Sequence, residues 1–308
     1  MKREVEIKIP SFLFMVRDWD NFMVITGSFM KRFITGIIFL GCGLMVAQAQ
    51  FLRADGQRII NDKNETVILR GMGLGGWMLQ EGYMFHLSGI GQQYRIREKI
   101  TELVGEEKAA EFYDRWLTLH TRRSDIDSLA AWGFNSVRLP MHYALFTLPV
   151  EKEPVKGMNT WLEKGFALTD SLLNWCSAHK MYLILDMHAA PGGQGNDLPI
   201  ADRDSSKPAL WQSIENRKKM ISLWRQLAEH YANAPWIGGY DIINEPNWGF
   251  SDPIKDRNGI NEKDNGPLRD LMMDITKAIR EVDKQHMIII EGNGFGNNYN
   301  KILPPWDN

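Results

Sequence analysis

Residues 236–250 read WIGGYDIINEPNWGF, and this stretch decides the fold. An apolar run predicts a strand that delivers Asn244 and Glu245 to its end. Pro246 then stops the strand, because proline lacks a backbone N–H and has a fixed φ. A carboxylic acid placed there can donate and later accept a proton if burial or a neighbouring negative charge raises its pKa. Glu245 is therefore a candidate general acid and base. The alternative is that it only caps the next helix.

Short β-rich runs alternate along the chain with amphipathic helical stretches. Besides 239–243, the predicted strands are residues 67–70, 135–139, 182–187 and 287–291. The predicted helices are residues 106–119, 124–132, 165–179, 216–231 and 267–282, the last with a proline in its first turn, where proline is favoured. This alternation predicts an α/β fold of parallel strands joined by helical crossovers.

The predicted strands end in polar residues, namely Arg138, His188, Asn244 with Glu245, and Glu291. In a parallel α/β barrel the carboxyl ends of the strands form the reactive face, so we expect these residues to converge. A doubly wound open sheet would alternate in the same way and often carries a glycine-rich phosphate turn. The run GMGLGGW at 71–77 has such spacing, but Trp and Glu follow where a helix should open, which disfavours a phosphate site.

Two of these strand-end residues can be interpreted on their own chemistry. Arg138 follows an apolar alternation and would be costly to bury unpaired, so a carboxylate should lie nearby. The guanidinium fork could hold that carboxylate ionised, as a nucleophile requires. His188 has two interpretations that stay open, a functional residue or a histidine satisfied within the structure.

Five motifs occur in one order along the chain: LRGMGLGGWMLQE, GFNSVRLPMHY, YLILDMHAAPGGQGND, YDIINEPNW and IIIEGNGFG. With them the chain resembles glycoside hydrolase family 5, the cellulase and β-glucanase family of retaining (β/α)8 barrel enzymes. The resemblance implies that Glu245 is the acid/base and Asn244 its partner at the sugar 2-OH. It also implies that Arg138 braces the nucleophile and that His188 belongs to the glycone subsite. The chemistry needs carboxylates and water, so no cofactor is expected.

Four further residues are candidates for substrate binding. Glu81 follows Trp77 at a spacing similar to that of family members whose first loop binds sugar, although a surface role for Glu81 is equally open. Trp248 could stack on a leaving-group sugar or could simply pack in the core. His142, in the GFNSVRLPMHY motif, is the fourth candidate.

The family pattern includes a nucleophile that we do not find in this chain. In the family it is a glutamate that ends strand seven, roughly 5 Å from the acid/base. One helix separates Glu245 from Glu291, so Glu291 ends strand five and is not the nucleophile. We therefore expect an incomplete TIM barrel of about five βα units, with the nucleophile absent from this chain. An open sheet edge would leave the polypeptide inactive and poorly soluble on its own.

Composition excludes several classes of protein. The chain has 308 residues, 36 basic against 38 acidic side chains and a net charge of -2, without the basic stripe that binds nucleic acid. Its seven histidines include no HExxH pair, so no metal is expected. Aromatic residues make up 11%, and flat rings suit sugar stacking. We expect a monomer whose partner is a polysaccharide.

Residues 30–49 resemble a signal peptide, with a basic start, an apolar run and the small-residue site Ala47-Gln48-Ala49. We expect cleavage after Ala49, a secreted or periplasmic protein with no membrane association afterwards, and translation from Met30 as an alternative to Met1. A lipoprotein acylated at Cys42 is the competing interpretation. The chain then divides into residues 1–49, an extension plus signal, and 50–308, the partial catalytic domain. Cys176 is expected to be a buried, apolar-like residue.

The leading functional hypothesis is a secreted β-glucan hydrolase of the endo-β-1,4-glucanase type. A β-1,3-glucanase is close behind, because the GGWMLQE loop is similar to that branch of the family, and β-mannanase is third. From another class, the chain could be a non-catalytic carbohydrate-binding relative.

Overall fold

A small antiparallel hairpin begins the part of the chain that the computed structural model describes, residues 51–87 and 89–302. Its strands are β1, Arg53–Asp55, and β2, Arg58–Ile60, joined at Gly56, which adopts φ +59°. The hairpin was not predicted, although the Asp55-Gly56 pair is a known hairpin signal. The signal segment, Cys42 and the cleavage site at Ala49 lie outside the described residues.

Five parallel strands form the central sheet of the described residues. They are β3, Gly71–Gly73; β4, Ser136–His142; β5, Tyr182–Ala189; β6, Ile237–Asp241; and β7, Ile288–Ile289. Their spatial order is the order of the sequence, and every neighbouring pair is parallel. This is the arrangement of successive βα units in a (β/α)8 barrel, so the predicted fold class, an incomplete TIM barrel, is confirmed.

The first strand of this sheet does not lie at residues 67–70, where it was predicted. The side chain of Asn135 donates to the carbonyl of Ile68 at 2.9 Å and accepts from the N–H of Arg70 at 2.6 Å, so this stretch is held by a side chain. The ladder starts only at Gly71, opposite Ser136. A Cβ on Gly71 would come within 2.7 Å of Ser136 Oγ, so the close pairing needs glycine there.

Helices connect the strands and cover the sheet. They are α1, Gln93–Val104; α2, Glu106–Leu119; α3, Arg123–Ala131; α4, Glu163–Ala178; α5, Ile214–Tyr231; and α6, Gly266–Val282. The five predicted helices are present within two residues of their predicted ends, and α1 was not predicted. Within the described ranges, no helix has the length and apolar character that crossing a bilayer requires.

The main core lies between the sheet and the helices. Trp224 of α5 is fully buried there and satisfies its indole N–H by donating to the carbonyl of Ile242 at 2.9 Å. Cys176 of α4 is 0% exposed, and burial raises its pKa to about 12, so the prediction of a buried, apolar-like cysteine is confirmed. This packing fixes the strands whose ends carry the polar residues.

Candidate active site

Arg138, on β4, lies at the centre of a cluster of acidic side chains. Its Nε and Nη2 donate to Oδ2 of Asp241 at 3.0 and 2.8 Å, and its Nη1 lies 3.1 Å from Oδ2 of Asp186. Nη2 also donates to Asn244 Oδ1 at 2.8 Å and lies 3.2 Å from Glu291 Oε1. The expectation that a buried Arg138 would have a carboxylate beside it is confirmed. The polar strand ends do converge.

The charges in this cluster favour the ionised arginine. Burial alone would lower the pKa of Arg138, but Asp186, Asp241 and Glu291 outweigh that effect and raise the pKa. Burial is the largest cause that raises the pKa of Asp241 well above its usual range, and the charges of Asp186 and Glu291 add to it against the opposing effect of Arg138. The cluster therefore holds more carboxyl groups than it can hold as anions.

Glu245 follows β6 in an unusual backbone conformation. Its φ is +39°, in the left-handed region that non-glycine residues seldom adopt, which costs of order 1–3 kcal/mol. The backbone N–H of Glu245 donates to Glu291 Oε2 at 2.8 Å, and this bond helps to hold the conformation. Burial, and then the charge of Glu291, raise the pKa of the Glu245 carboxyl. A carboxylic acid with a raised pKa is suited to donating a proton near neutral pH.

Glu291 lies two residues beyond β7, the fifth strand of the sheet, where the sequence placed it. Both carboxylate oxygens are already used: Oε1 faces Arg138, and Oε2 accepts from the backbone of Glu245. These bonds give Glu291 a role in positioning the acid/base. That it is not the nucleophile stays a prediction.

His188, near the end of β5, lies between two carboxylates. Its Nδ1 is 2.7 Å from Asp186 Oδ2, and its Nε2 is 3.5 Å from Glu81 Oε1 and 3.5 Å from Asn244 Nδ2. Burial opposes protonation, but Asp186 and Glu81 raise the pKa of His188 to about 9. The ring is therefore a cation at neutral pH. Its partners are functional candidates themselves, so the structural and functional interpretations of His188 are both compatible with this geometry.

Glu81 is only 3% exposed, which excludes the surface role that the sequence left open. It lies beside two residues that the sequence analysis did not single out. Burial is the largest cause that raises the pKa of Tyr83, and the charges of Glu81, Glu245 and Asp197 add to it. Burial and the charge of Glu81 also raise the pKa of Asp197. Because Tyr83 is 64% exposed, an aromatic side chain borders this acidic pocket. Asp197 is the last residue of the motif YLILDMHAAPGGQGND.

Trp77 does not belong to the substrate site, and its assignment as a binding residue is corrected. Its side chain is 1% exposed, and its indole N–H donates to the carbonyl of Leu117 at 2.8 Å, within the core beneath α2. Its spacing from Glu81 suggested a shared loop surface, but the chain turns between the two residues and buries the tryptophan.

Trp248 and His142 have partners within the protein. The guanidinium carbon of Arg203 lies 5.3 Å from the centre of the Trp248 ring, so one face of that ring is covered. His142 Nδ1 accepts from the N–H of Ala144 at 3.0 Å, which leaves Nε2 to donate to Asp202 at 2.9 Å. Substrate binding by both residues stays a prediction.

A cleft of about 960 Å³ opens beside these strand ends, between the loops that follow β4 and β5. His142, Ala190 and Gly193 line it, and Glu245 does not. Over residues 51–87 and 89–302, no group of three or more His, Cys, Asp or Glu side chains is arranged to hold a metal ion.

Carboxyl groups, an arginine and a histidine gathered on sequential parallel strands and on the segments that follow them define a barrel-type enzyme site. A family model described as Cellulase (glycosyl hydrolase family 5) matches residues 97–306. The chain therefore belongs to glycosyl hydrolase family 5.

The chain is similar to several known proteins. A β-xylosidase of Phanerodontia chrysosporium is 31% identical over 249 residues, which are 81% of this chain and 48% of that protein. Endoglucanase C of Acetivibrio thermocellus is 27% identical over 225 residues, 73% of this chain and 50% of that protein. The crystal structure of rutinosidase from Aspergillus niger shares the fold at a TM-score of 0.57 and 16% identity, covering 73% of this chain and 62% of that one. The chain spans about half the length of the curated relatives it matches.

Proposed function

We propose that this chain carries the acid/base part of a retaining glycoside hydrolase that acts on β-glucan, of the endo-β-1,4-glucanase type. The observation that carries the proposal is Glu245. It is a partly exposed carboxyl group at a strand end, its backbone is fixed by Glu291, and its pKa is raised by burial and by that neighbour. In the same cluster Arg138 holds Asn244 in place.

The mechanism follows from these positions. Glu245 in its acid form protonates the glycosidic oxygen as the leaving sugar departs. The resulting carboxylate then removes a proton from the water that completes hydrolysis. A retaining reaction also needs a nucleophilic carboxylate roughly 5 Å from the acid. Because Glu291 follows β7, the fifth strand of the sheet, whereas the nucleophile of the family ends strand seven, we assign the nucleophile to a residue outside this chain, and we propose that the chain alone is inactive.

One comparison supports a β-glucan as substrate: the similar protein endoglucanase C is, by its name, a glucan hydrolase. A β-1,3-glucan is the second candidate, because a protein of Aspergillus niger named probable glucan 1,3-beta-glucosidase A is 27% identical to this chain over 190 residues.

We also propose that the protein is secreted after cleavage following Ala49 and that it acts as a monomer. The support for secretion is the sequence pattern of residues 30–49. N-terminal sequencing of protein from the culture medium tests the cleavage, and a mature protein that starts elsewhere or carries lipid on Cys42 would contradict it.

The decisive experiment uses the protein expressed from its uninterrupted reading frame. It is incubated with a β-1,4-glucan, a β-1,3-glucan and a mannan, and the anomer released first is read by NMR. We expect β-1,4-glucan to be the best substrate and the β-anomer to appear first. An α-anomer would contradict retention, and no turnover of any β-glycan would contradict the function.

The role of Glu245 is tested in the same protein by Glu245→Gln. We expect turnover of natural glucan to fall about 10² to 10⁴-fold, the usual contribution of a general acid. Glu229→Gln, on the exposed surface of α5, is the matched control and should leave turnover unchanged. Aryl glucosides with a good leaving group need no acid, so the variant should still react with them and azide should accelerate it. Equal losses on both substrates would contradict the assignment.

A further inference from the structure

Two buried carboxyl groups, those of Asp186 on β5 and Asp241 on β6, lie side by side beneath Arg138. The two residues are Cα partners in the parallel ladder, so their side chains leave the same face of the sheet from strands about 4.8 Å apart. Asp186 is 0% and Asp241 3% exposed. Each therefore lies where an uncompensated charge is costly.

The hydrogen bonds of the two groups share one pattern. Oδ2 of Asp241 accepts both bonds from Arg138. Oδ2 of Asp186 contacts Nη1 of Arg138 and Nδ1 of His188. In both residues Oδ1 is buried and has no hydrogen-bond partner within the described residues. In each of these two carboxyl groups, one oxygen therefore makes all the polar contacts and the other oxygen makes none.

We propose that Asp241 is protonated on Oδ1 and donates a hydrogen bond to Oδ1 of Asp186, so that the pair shares one proton. This single proton gives both unpartnered atoms a partner, which removes two buried unsatisfied acceptors at once. It also removes one negative charge from a site where two adjacent carboxylates would repel each other.

The contacts decide which residue holds the proton. Asp186 touches two cations, Arg138 and His188, so its ionised form is the better stabilised. Asp241 touches only Arg138, and it shares that cation with Asp186 and Glu291. The raised pKa of Asp241 agrees with this assignment.

The balance of charge in the surroundings points the same way. The cations that face the pair are Arg138 and His188. The groups with negative or potentially negative charge are Asp186 and Asp241 themselves, Glu291 beyond β7, Glu81 after β3 and Glu245 after β6. Five acids face two cations here, so the negative charges oppose one another and full ionisation of the adjacent buried pair is disfavoured.

A neutral Asp241 has a consequence for the neighbouring groups. It binds Arg138 without neutralising it, so the positive charge stays available to Glu291, which in turn holds the backbone of Glu245. Asp241 is then a positioning residue whose proton sets the charge around the acid/base. This inference concerns the protonation of the folded chain and does not depend on the substrate.

Carbon-13 NMR of aspartate carboxyl groups tests the shared proton directly. The protein from its uninterrupted reading frame is labelled at aspartate Cγ, and each signal is assigned through its bonds to the backbone. At pH 7 we expect one aspartate, Asp241, at the chemical shift of a protonated acid, and that signal to be lost in Asp241→Asn. Asp274→Asn, at an exposed position of α6, is the control and should keep it. An Asp241 signal at the ionised position at pH 7 overturns the proposal without need of a variant.

A second measurement separates a shared proton from a merely structural contact. An asparagine at 241 can donate from Nδ2 to Asp186 as the protonated acid does, whereas an asparagine at 186 loses the anion that pairs with His188. We expect Asp241→Asn to raise the midpoint of thermal unfolding at pH 7, because only the wild type must keep an aspartate protonated above its ordinary pKa, and we expect Asp186→Asn to lower the midpoint. Because the pKa of Asp241 is raised, the wild type should lose stability relative to Asp241→Asn as the pH rises from 5 to 9. Equal destabilisation by both variants, or parallel pH curves, contradicts the assignment.

Discussion

Two neighbouring residues of β6, Tyr240 and Asp241, belong to buried polar groups of opposite character. Tyr240 points toward the helices and joins Asp283 and His286 in what we call the outer network. Asp241 points to the other face of the sheet and joins Arg138, Asp186 and Glu291, which we call the inner cluster. Adjacent residues of a strand face opposite sides of the sheet, so the short strand β6 contributes to both the outer network and the inner cluster.

The outer network has a partner for each polar group. The Tyr240 hydroxyl donates to Asp283 Oδ2 at 2.7 Å, and His286 Nδ1 lies 2.5 Å from the same oxygen. His286 Nε2 faces the carbonyl of Ala234 at 2.9 Å. The two backbone N–H groups of Gln285 and His286 donate to Asp283 Oδ1.

The inner cluster differs in each of these respects. It has an excess of carboxyl groups, two buried oxygens without partners, and a backbone strained at Glu245. Carboxyl groups whose pKa values are raised by burial and by neighbouring charges are typical of functional sites, and the inner cluster has this character. The comparison teaches that the helix side of the sheet is built for stability, and that the inner side gives up stability for chemistry.

The largest expected effect comes from breaking the outer network. Asp283→Ala removes the anion and leaves His286 buried without its partner, so we expect the free energy of unfolding to fall by about 3–5 kcal/mol at pH 7. Asp241→Asn, one position from Tyr240 in the inner cluster, is the contrast and should not lower it, because the amide replaces a carboxyl group that we propose is protonated in the fold. Urea unfolding measures both. If the two variants cost the same, the distinction between the two regions fails.

The next effect belongs to the inner cluster and appears on the alkaline side. The pKa of His188 is raised to about 9 from 6.5, so its contribution is fully present below pH 6.5 and is lost as the pH rises through 9. The size is roughly 3 kcal/mol by linkage. We expect wild type to lose this much relative to His188→Gln between pH 6 and 10. His179→Gln, at a partly exposed position, is the control and should follow the wild-type curve.

The acidic side tests the outer network. The pKa of Asp283 is lowered to about 2 from 3.8, so its stabilisation is present above pH 4 and is lost as the pH falls toward 2. This amounts to about 2 kcal/mol. The unfolding free energy of Asp283→Asn should therefore fall less steeply than that of wild type between pH 4 and 2. The same steepness in both proteins would show that other carboxylates cause the acid sensitivity.

The convergence of Arg138, His188 and Glu245 was predictable because each follows an apolar run, and sequential parallel strands bring such positions together. Arg138 does not mark a strand end, since β4 continues to His142. The position of β3 was not predictable, because a side-chain bond from Asn135 replaces the ladder before Gly71.

The depth of individual residues was harder to predict. Trp77 lies between glycines and a glutamate, a composition typical of a surface loop, yet the turn directs its ring into the core. Asp186 was overlooked because it lies within β5, and Asp241 because it lies within the strand predicted at 239–243, although the structure ends β6 at Asp241. A signal was present, since an aspartate inside an apolar run must be paired or protonated to be buried.

The smallest predicted effect is the loss of one hydroxyl group from the outer network. Tyr240→Phe keeps the buried ring but removes the donor to Asp283, so we expect about 1 kcal/mol of destabilisation in urea unfolding. Tyr299→Phe, whose side chain is partly exposed, is the matched control and should be neutral. A double-mutant cycle with Asp283→Ala then isolates the pair, because the cost of losing the hydroxyl should largely disappear once its acceptor is gone. If the two costs simply add, Tyr240 packs beside Asp283 without the hydrogen bond contributing to stability, and the outer network reduces to the pair formed by Asp283 and His286.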